Sequence, residues 1–458
     1  MVRSVSSLTG SPQCCATREP NRMMHARTEE MVFTDPALRE CEGCGLFQIV
    51  PPLTPGTSAT CMRCATTLRR TRTDPLGRGL ALTVGALVLL CVMASSTLMS
   101  VATAGIAHQA DLFSGPEELW QRGMAPLALA VLFTTLLAPL GKLLATLYVL
   151  LRLRGRRPPQ HLRATFTWVE RLRPWSMVEV FVFGVFVAYV KLGDVVRIKL
   201  EIGVYALLAL TLVIIWADSA LDREAVWEAI GNRSFPAATK APPAPPSPRF
   251  AAISCEVCGM VNDTASSDGH CGRCGQVLHH RKPDSIARTW ALVIAAAVLY
   301  VPANVYPVLT VVQLGAGAPS TIFGGVEELL SSRMYPLAAL VFFASIAVPM
   351  LKLVGLTVML IATQTGGAFW LRDRTRLYHF VRWIGRWSMI DIFMEALLGA
   401  LVRFGSVVTI EPGIGAIAFC AVVILTMFAA ECFDPRLMWD AADQRRAAEP
   451  RAAMAARA

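Results

Sequence analysis

Charge is what this sequence has least of. Asp, Glu, Lys and Arg make up 17% of its 458 residues, against about 25% in a soluble domain. With 54% hydrophobic residues and a mean hydropathy of +0.49, that deficit excludes a disordered chain and an ordinary soluble enzyme. Acidic residues are the scarcer sign, 33 against 43 basic, for a formal charge of +10. In a membrane protein such an excess sits in cytoplasmic loops, so nucleic acid is not the expected partner. Thirteen cysteines are too few for a disulfide scaffold. The GxxxxGK[ST] loop is missing, so ATP hydrolysis is not expected of this chain. Residues 1–40 lack the apolar core of a secretory signal. We read 1–38 as a disordered tail, with Met23, Met24 and Met31 as alternative starts.

Long apolar runs are abundant. They cover Leu80–Val101, Met124–Leu151, Trp175–Leu192, Ile202–Leu221, Ile286–Val312, Tyr335–Ala362, Trp387–Phe404 and Gly413–Ala430. Each matches the roughly 20 helical residues that cross ~30 Å of hydrocarbon. The expected fold is mainly α, a polytopic membrane protein with eight transmembrane helices. Between the fourth and fifth runs lie Pro242, Pro243, Pro245, Pro246 and Pro248, an extended linker over 232–252. Arginines crowd the loops before run one, between two and three, and between six and seven; Arg122 is the one basic residue between runs one and two and Arg333 between five and six, while Lys191, Arg197 and Lys199 between three and four weaken the pattern slightly. That bias predicts a cytoplasmic linker and both termini cytoplasmic.

The chain repeats itself at an offset of about 210 residues. Glu117-Glu118-Leu119 returns as Glu327-Glu328-Leu329, Pro139 and Lys142 as Pro349 and Lys352, and Trp175-Ser176-Met177 as Trp387-Ser388-Met389. Apolar bias alone would not reproduce Pro, Trp and charged positions. Four spans per repeat put both halves into the membrane from the same side, so the repeats are expected to be parallel. The first covers 76–231 and the second 284–441, followed by a basic tail over 442–458.

Eight cysteines form two clusters. Cys41-x-x-Cys44 precedes Cys61-x-x-Cys64, and Cys255-x-x-Cys258 precedes Cys271-x-x-Cys274. Two CxxC knuckles supply the four thiolates of a closed structural zinc site. We therefore expect two Zn2+ sites in small ribbons spanning 39–72 and 253–282, each preceding a repeat. A reducing cytoplasm argues against disulfides, and no βαβ pattern supports a thioredoxin-like motif. A rubredoxin-like iron site has the same ligands and stays open as an alternative. Glycine follows three of the knuckles; Ala65 stands in its place after the fourth.

Ionisable residues interrupt the spans. Lys142 and Lys352 sit in apolar runs, where each costs about 2.5–3.5 kcal/mol at mid-membrane. Glu179 and Asp391 lie four residues into their runs, with Glu395 one turn beyond Asp391. A cation and a carboxylate per repeat suggest pairing and proton coupling. Snorkelling to the interface is the competing reading.

Three features together resemble the paraquat-inducible protein A family over about residues 41–440. They are the order of cysteine clusters and spans, the Pro349-Met-Leu-Lys352 stretch, and the related runs Arg173-Pro-Trp-Ser-Met-Val-Glu179 and Arg386-Trp-Ser-Met-Ile-Asp391. The resemblance implies a non-enzymatic inner-membrane subunit with cytoplasmic zinc ribbons. It would work with a periplasmic MCE-domain tunnel protein and move phospholipid across a Gram-negative envelope. A family-like element, Asn304-Val-Tyr-Pro307, occurs in the second repeat, where the first has Ser96-Thr-Leu-Met99. The alternatives are a proton-coupled transporter of a small solute and a membrane redox protein with iron in the clusters.

Overall fold

The computed structural model describes residues 37–103, 106–155, 159, 161–193, 198–234, 252–263, 269–313, 316–401 and 408–455. The expected N-terminal tail, save its last two residues, and most of the proline-rich linker lie outside them. The chain opens with four short strands, β1 (Ala37–Glu40), β2 (Phe47–Val50), β3 (Ser58–Thr60) and β4 (Thr67–Arg70), paired as two hairpins. Helix α1 (Pro75–Ser95) follows, then the hairpin β5 (Met99–Thr103) and β6 (Ile106–Ala110). Next come α2 (Ser114–Gln121), α3 (Ala125–Leu132), α4 (Ala138–Arg154), α5 (Leu162–Leu172) and α6 (Val178–Gly193). Strand β7 (Ile198–Leu200), α7 (Ile202–Ala220) and α8 (Arg223–Ser234) complete the first half.

The second half follows the same order. It runs β8 (Ala252–Ser254), β9 (Val261–Asp263), α9 (Ser285–Val305), β10 (Leu309–Gln313), β11 (Ala316–Ser320), α10 (Ile322–Ser331), α11 (Tyr335–Phe342), α12 (Val348–Gln364), α13 (Leu371–Ile384), α14 (Ile390–Leu401), β12 (Val408–Pro412), α15 (Ile414–Cys432) and α16 (Arg436–Ala455). The segment read as a loose tail, 442–458, is therefore helical through Ala455.

Among the described residues seven helices are long and apolar enough to cross a membrane, and the protein is an integral membrane protein. They are Pro75–Ser95, Ala125–Arg154, Leu162–Lys191, Ile202–Ala220, Ser285–Val305, Tyr335–Gln364 and Ile414–Cys432. The run expected as the seventh span differs. Gly385–Met389 is a 3-10 turn and α14 has 12 residues, with 402–407 outside the described residues. Every residue from Ile390 to Gly399 is buried against protein, which is how a helix this short keeps its apolar surface from water.

Pro139 and Pro349 do not break their helices. A proline clashes with the carbonyl four residues back, and five-residue π-turns at Phe133–Leu137 and Phe343–Ala347 widen the helix just before each one. The Thr134 carbonyl accepts an N–H from Met177 at 3.4 Å, so part of the strained backbone is satisfied from another element.

Two three-stranded antiparallel sheets, β6-β5-β7 and β11-β10-β12, cap the ends of the spans away from the cysteine ribbons. The halves meet where α6 packs on α14. A Cβ on Gly184 would lie 2.7 Å from the Phe393 Cβ, so only glycine allows this approach. The largest apolar core runs continuously through both halves at this seam.

Candidate functional site

Each cysteine ribbon is a pair of tight knuckles held by backbone bonds. Gly45 donates to the Cys41 carbonyl at 2.8 Å and Ala65 to the Cys61 carbonyl at 2.9 Å; Gly259 and Gly275 donate to Cys255 and Cys271 in the same way. Closing the knuckle needs a left-handed residue, and Gly45, Gly259 and Gly275 have φ of 72°, 67° and 74°. Ala65 takes the same turn at φ 63° and carries the strain that glycine avoids.

All four sulfurs of each cluster lie within 4.8 Å of one another. Cys41 Sγ is 3.3 Å from Cys64 Sγ and Cys44 Sγ 3.6 Å from Cys61 Sγ; the second cluster gives 3.4 Å and 3.5 Å. A disulfide would bring sulfurs to about 2.05 Å. Tetrahedral thiolates at a metal–sulfur distance of ~2.3 Å stand about 3.8 Å apart, close to what is observed. Both clusters can hold a metal ion. Hydrogen bonding from Cys44 against the opposing effect of burial brings the Cys41 thiol down to about 5. The same interaction from Cys258 brings Cys255 to about 7, while Cys44 and Cys258 are pushed up by the thiols they serve, so the sulfurs of each cluster share their protons. Outside the ligands, Gln48 Nε2 donates to Cys61 Sγ at 2.9 Å and Asn262 Nδ2 to Cys271 Sγ at 3.6 Å, the outer contacts that orient metal ligands.

The ribbons dock crosswise. The first cluster is buried among Leu356, Tyr378, Val381 and Trp439 of the second half. The second cluster is buried among Leu162, Phe166, Val226 and Trp227 of the first. Arg63 lies 4.4 Å over the Trp439 ring and pairs with Asp443. Arg39 and Arg69 of the first ribbon also reach Glu224 on α8 at 2.9 and 3.1 Å. Arg436 ties the two ribbons together, meeting Glu256 of the second at 2.8 Å and Glu40 of the first at 3.3 Å. Burial raises the Asp434 carboxyl, but Arg436 at 2.8 Å overcomes it and holds the group below its usual range. This ring of charge joins residues nearly 400 positions apart, and its pairing was not visible in the sequence.

The buried charges in the spans pair differently from expectation. Lys142 Nζ donates to Asp218 Oδ2 at 2.8 Å, so its ion partner is Asp218 and not Glu179. Asp218 sits in the last turn of α7, a carboxylate inside an apolar run, and that was its one available signal. Lys352 is fully buried and its Nζ meets the Gly385 carbonyl at 3.5 Å; the expected pairing with Asp391 is not made. Glu179 instead accepts from Arg386 of the other half at 3.0 Å. Asp391 Oδ1 and Glu395 Oε2 are buried with no hydrogen-bond partner among the described residues. Ser176 and Ser388, from the two Trp-Ser-Met runs, are likewise buried and unpaired.

Asn304 bonds its own helix, Nδ2 to the Tyr300 carbonyl at 2.8 Å. The Pro307 carbonyl accepts from Gly415 at 3.1 Å. In the first half the Thr97 carbonyl accepts from Gly203 at 3.0 Å. The Ser96-Thr-Leu-Met99 stretch of the first half therefore performs the same backbone task.

The sequence matches the family described as Paraquat-inducible protein A over residues 76–231 and again over 286–443. It is 33% identical over 410 residues to the Intermembrane transport protein PqiA of Escherichia coli (strain K12), covering 87% of this chain and 95% of that protein. It is 31% identical over 405 residues to the Lipophilic envelope-spanning tunnel protein A of the same strain, covering 88% and 91%. A Probable intermembrane transport protein of Haemophilus influenzae is 25% identical over 417 residues, covering 89% and 96%. No solved structure matches the chain.

Proposed function

The chain belongs to the paraquat-inducible protein A family, and from that premise we propose that it is an inner-membrane subunit of a lipid transport system across the Gram-negative envelope. It works with a periplasmic MCE-domain tunnel protein and handles phospholipid. The observation that carries this reading is the near end-to-end likeness to proteins named for intermembrane transport and an envelope-spanning tunnel. In this reading the chain is not an enzyme. Two parallel repeats of four spans, 76–231 and 284–441, form the membrane part, with the short α14 as the core of the seventh span. Both termini and both ribbons, 39–72 and 253–282, face the cytoplasm, and each ribbon holds one zinc ion.

A second reading, a proton-coupled transporter of a small solute, draws on the buried Asp391 Oδ1 and Glu395 Oε2, which have no hydrogen-bond partner among the described residues. In either case Lys142, Glu179, Lys352, Asp391 and Glu395 are the proposed coupling residues, with Asn304 and Pro307 shaping the second repeat. Affinity purification of the tagged chain from its native envelope separates the two. Co-purification of a periplasmic MCE-domain protein with bound phospholipid is expected; a chain isolated free of both would overturn the lipid reading.

A further inference from the structure

A cavity of about 780 Å³ lies between the two ribbons and the adjoining ends of the spans. Its size falls in the range of about 300–1,000 Å³ typical of small-molecule sites. The floor is apolar. Trp175 of the first half packs on Phe428 of the second, ring centroids 5.2 Å apart, and Met427 lies beside them. Phe428 is 43% exposed although it belongs to a helix apolar enough to cross the membrane, so the floor continues the hydrocarbon level.

The walls are charged. Arg223 at the start of α8 and Arg382 on α13 both line the space and lie within each other's electrostatic reach. Glu42 lines the same space and its carboxylate acts on both guanidiniums, so the walls present charge of both signs. Each already holds a carboxylate through two contacts. Arg382 Nε and Nη2 meet Glu431 at 3.0 Å, and Arg223 Nε meets Glu170 at 2.7 Å with Nη2 on the second oxygen. A two-point pair uses two of the five guanidinium N–H donors, so a ligand oxygen can share either arginine without breaking its pair. The paired carboxylates face the same space and suit a neighbouring ammonium.

We propose that this cavity is a binding site for the phosphate-bearing headgroup of an amphiphile, entered from the ribbon-side leaflet. Arg223 and Arg382 grip the phosphate from the two halves, and the Trp175–Phe428 floor takes the first part of the acyl region. Guanidinium–phosphate contacts are bidentate and charge-assisted, which favours phosphate over a carboxylate head. The proposal deepens the lipid reading above and rests on it for the class of ligand. A soluble phosphate could satisfy the arginines, but it would leave the apolar floor without a partner.

The test uses the full chain in its native membrane. The photoreactive residue p-benzoylphenylalanine is placed at Phe428, irradiated, and the adduct identified by mass. A phospholipid adduct is expected. Arg223→Gln with Arg382→Gln should lower its yield at least tenfold, a factor that corresponds to about 1.4 kcal/mol. Arg223→Lys with Arg382→Lys should keep most of it. The same probe at Leu212, exposed on α7, should label lipid equally in every background and reports that the variant is folded and inserted. Equal yield at Phe428 in the Gln pair would overturn the site. Suppression of the adduct by millimolar glycerol 3-phosphate would assign the site to a soluble phosphate and overturn the amphiphile. A Gln pair that loses the adduct yet sustains envelope lipid transport keeps the site and removes it from the transport reading; unaltered labelling with lost transport does the reverse.

Discussion

Arg386 of the second Trp-Ser-Met run donates Nη1 to Glu179 Oε1 of the first, at 3.0 Å across the seam between the halves. The second motif thus reaches into the first half. The aromatic rings cross in the same way, Trp387 on Phe183 at 4.9 Å and Trp175 on Phe428 at 5.2 Å. Partly buried charge pairs are worth more than surface ones, but less than a dry pair. Glu179→Gln and Arg386→Gln should each lower thermal stability in detergent, and the double variant should fall no further than either. A coupling of about 1 kcal/mol is expected. Fully additive losses would show that the contact is not made.

Both cysteine clusters should carry zinc, two ions per chain by elemental analysis. Thiolate ligation contributes on the order of 10 kcal/mol in small zinc domains. Cys255→Ser with Cys258→Ser should therefore unfold the second ribbon and also free Phe166 and Trp227, which pack beneath it. Limited proteolysis should then cut within α8 of the first half. A protein with an iron spectrum and little zinc would contradict this.

Glu224 stands between Arg39 and Arg69, both more than nine-tenths buried. Removing it leaves two buried guanidiniums short of a counter-charge. Glu224→Ala should cost about 3–5 kcal/mol and release the first ribbon from α8, read as faster hydrogen exchange over 37–70. Glu228 also faces both arginines, at 3.9 and 3.2 Å, so Glu224→Asp should retain much of the stability.

Gly184 should not tolerate a side chain. Its new Cβ would sit 2.7 Å from the Phe393 Cβ, and overpacking of this kind costs about 1–3 kcal/mol. Gly184→Ala should lower the melting temperature, and Phe393→Leu in the same chain should recover part of the loss. An unchanged melting temperature for Gly184→Ala would mean that α6 and α14 stand further apart.

Lys352 differs from Lys142 in having no carboxylate beside it. Lys142→Ala strands Asp218, which is about one-third exposed and can be solvated, so a mild defect is expected. Lys352→Ala removes a fully buried cation with no ion partner among the described residues; such intramembrane groups are kept for function more than for stability. It should insert at normal levels by blot and fail to restore growth under envelope stress. Full complementation by Lys352→Ala would reduce this lysine to a packing residue.

Local rules made much of this legible. The CxxC spacing fixed the ligand sets, because two residues between cysteines put both sulfurs on one side of a knuckle. Hydropathy located seven of the helices, because the cost of an exposed backbone in lipid forces long apolar helices. The run at 387–404 is divided instead: a 3-10 turn precedes a 12-residue helix shielded by protein, and apolar composition does not distinguish that from a single long helix. Pro139 and Pro349 sit inside continuous helices because π-turns absorb them.

What the sequence determined by itself was the inventory: spans, knuckles, the duplicated pattern and the charges buried within it. What only the tertiary structure decided was which copy each element serves. Two halves with matching motifs can satisfy Glu179 from Arg173 next door or from Arg386 more than 200 residues away, and local propensity is the same either way. The choice falls to the packing of α6 on α14, where Gly184 and Phe393 set the register. Once that seam forms, the cysteine clusters, Arg386 and the rings of Trp175 and Trp387 meet the opposite half.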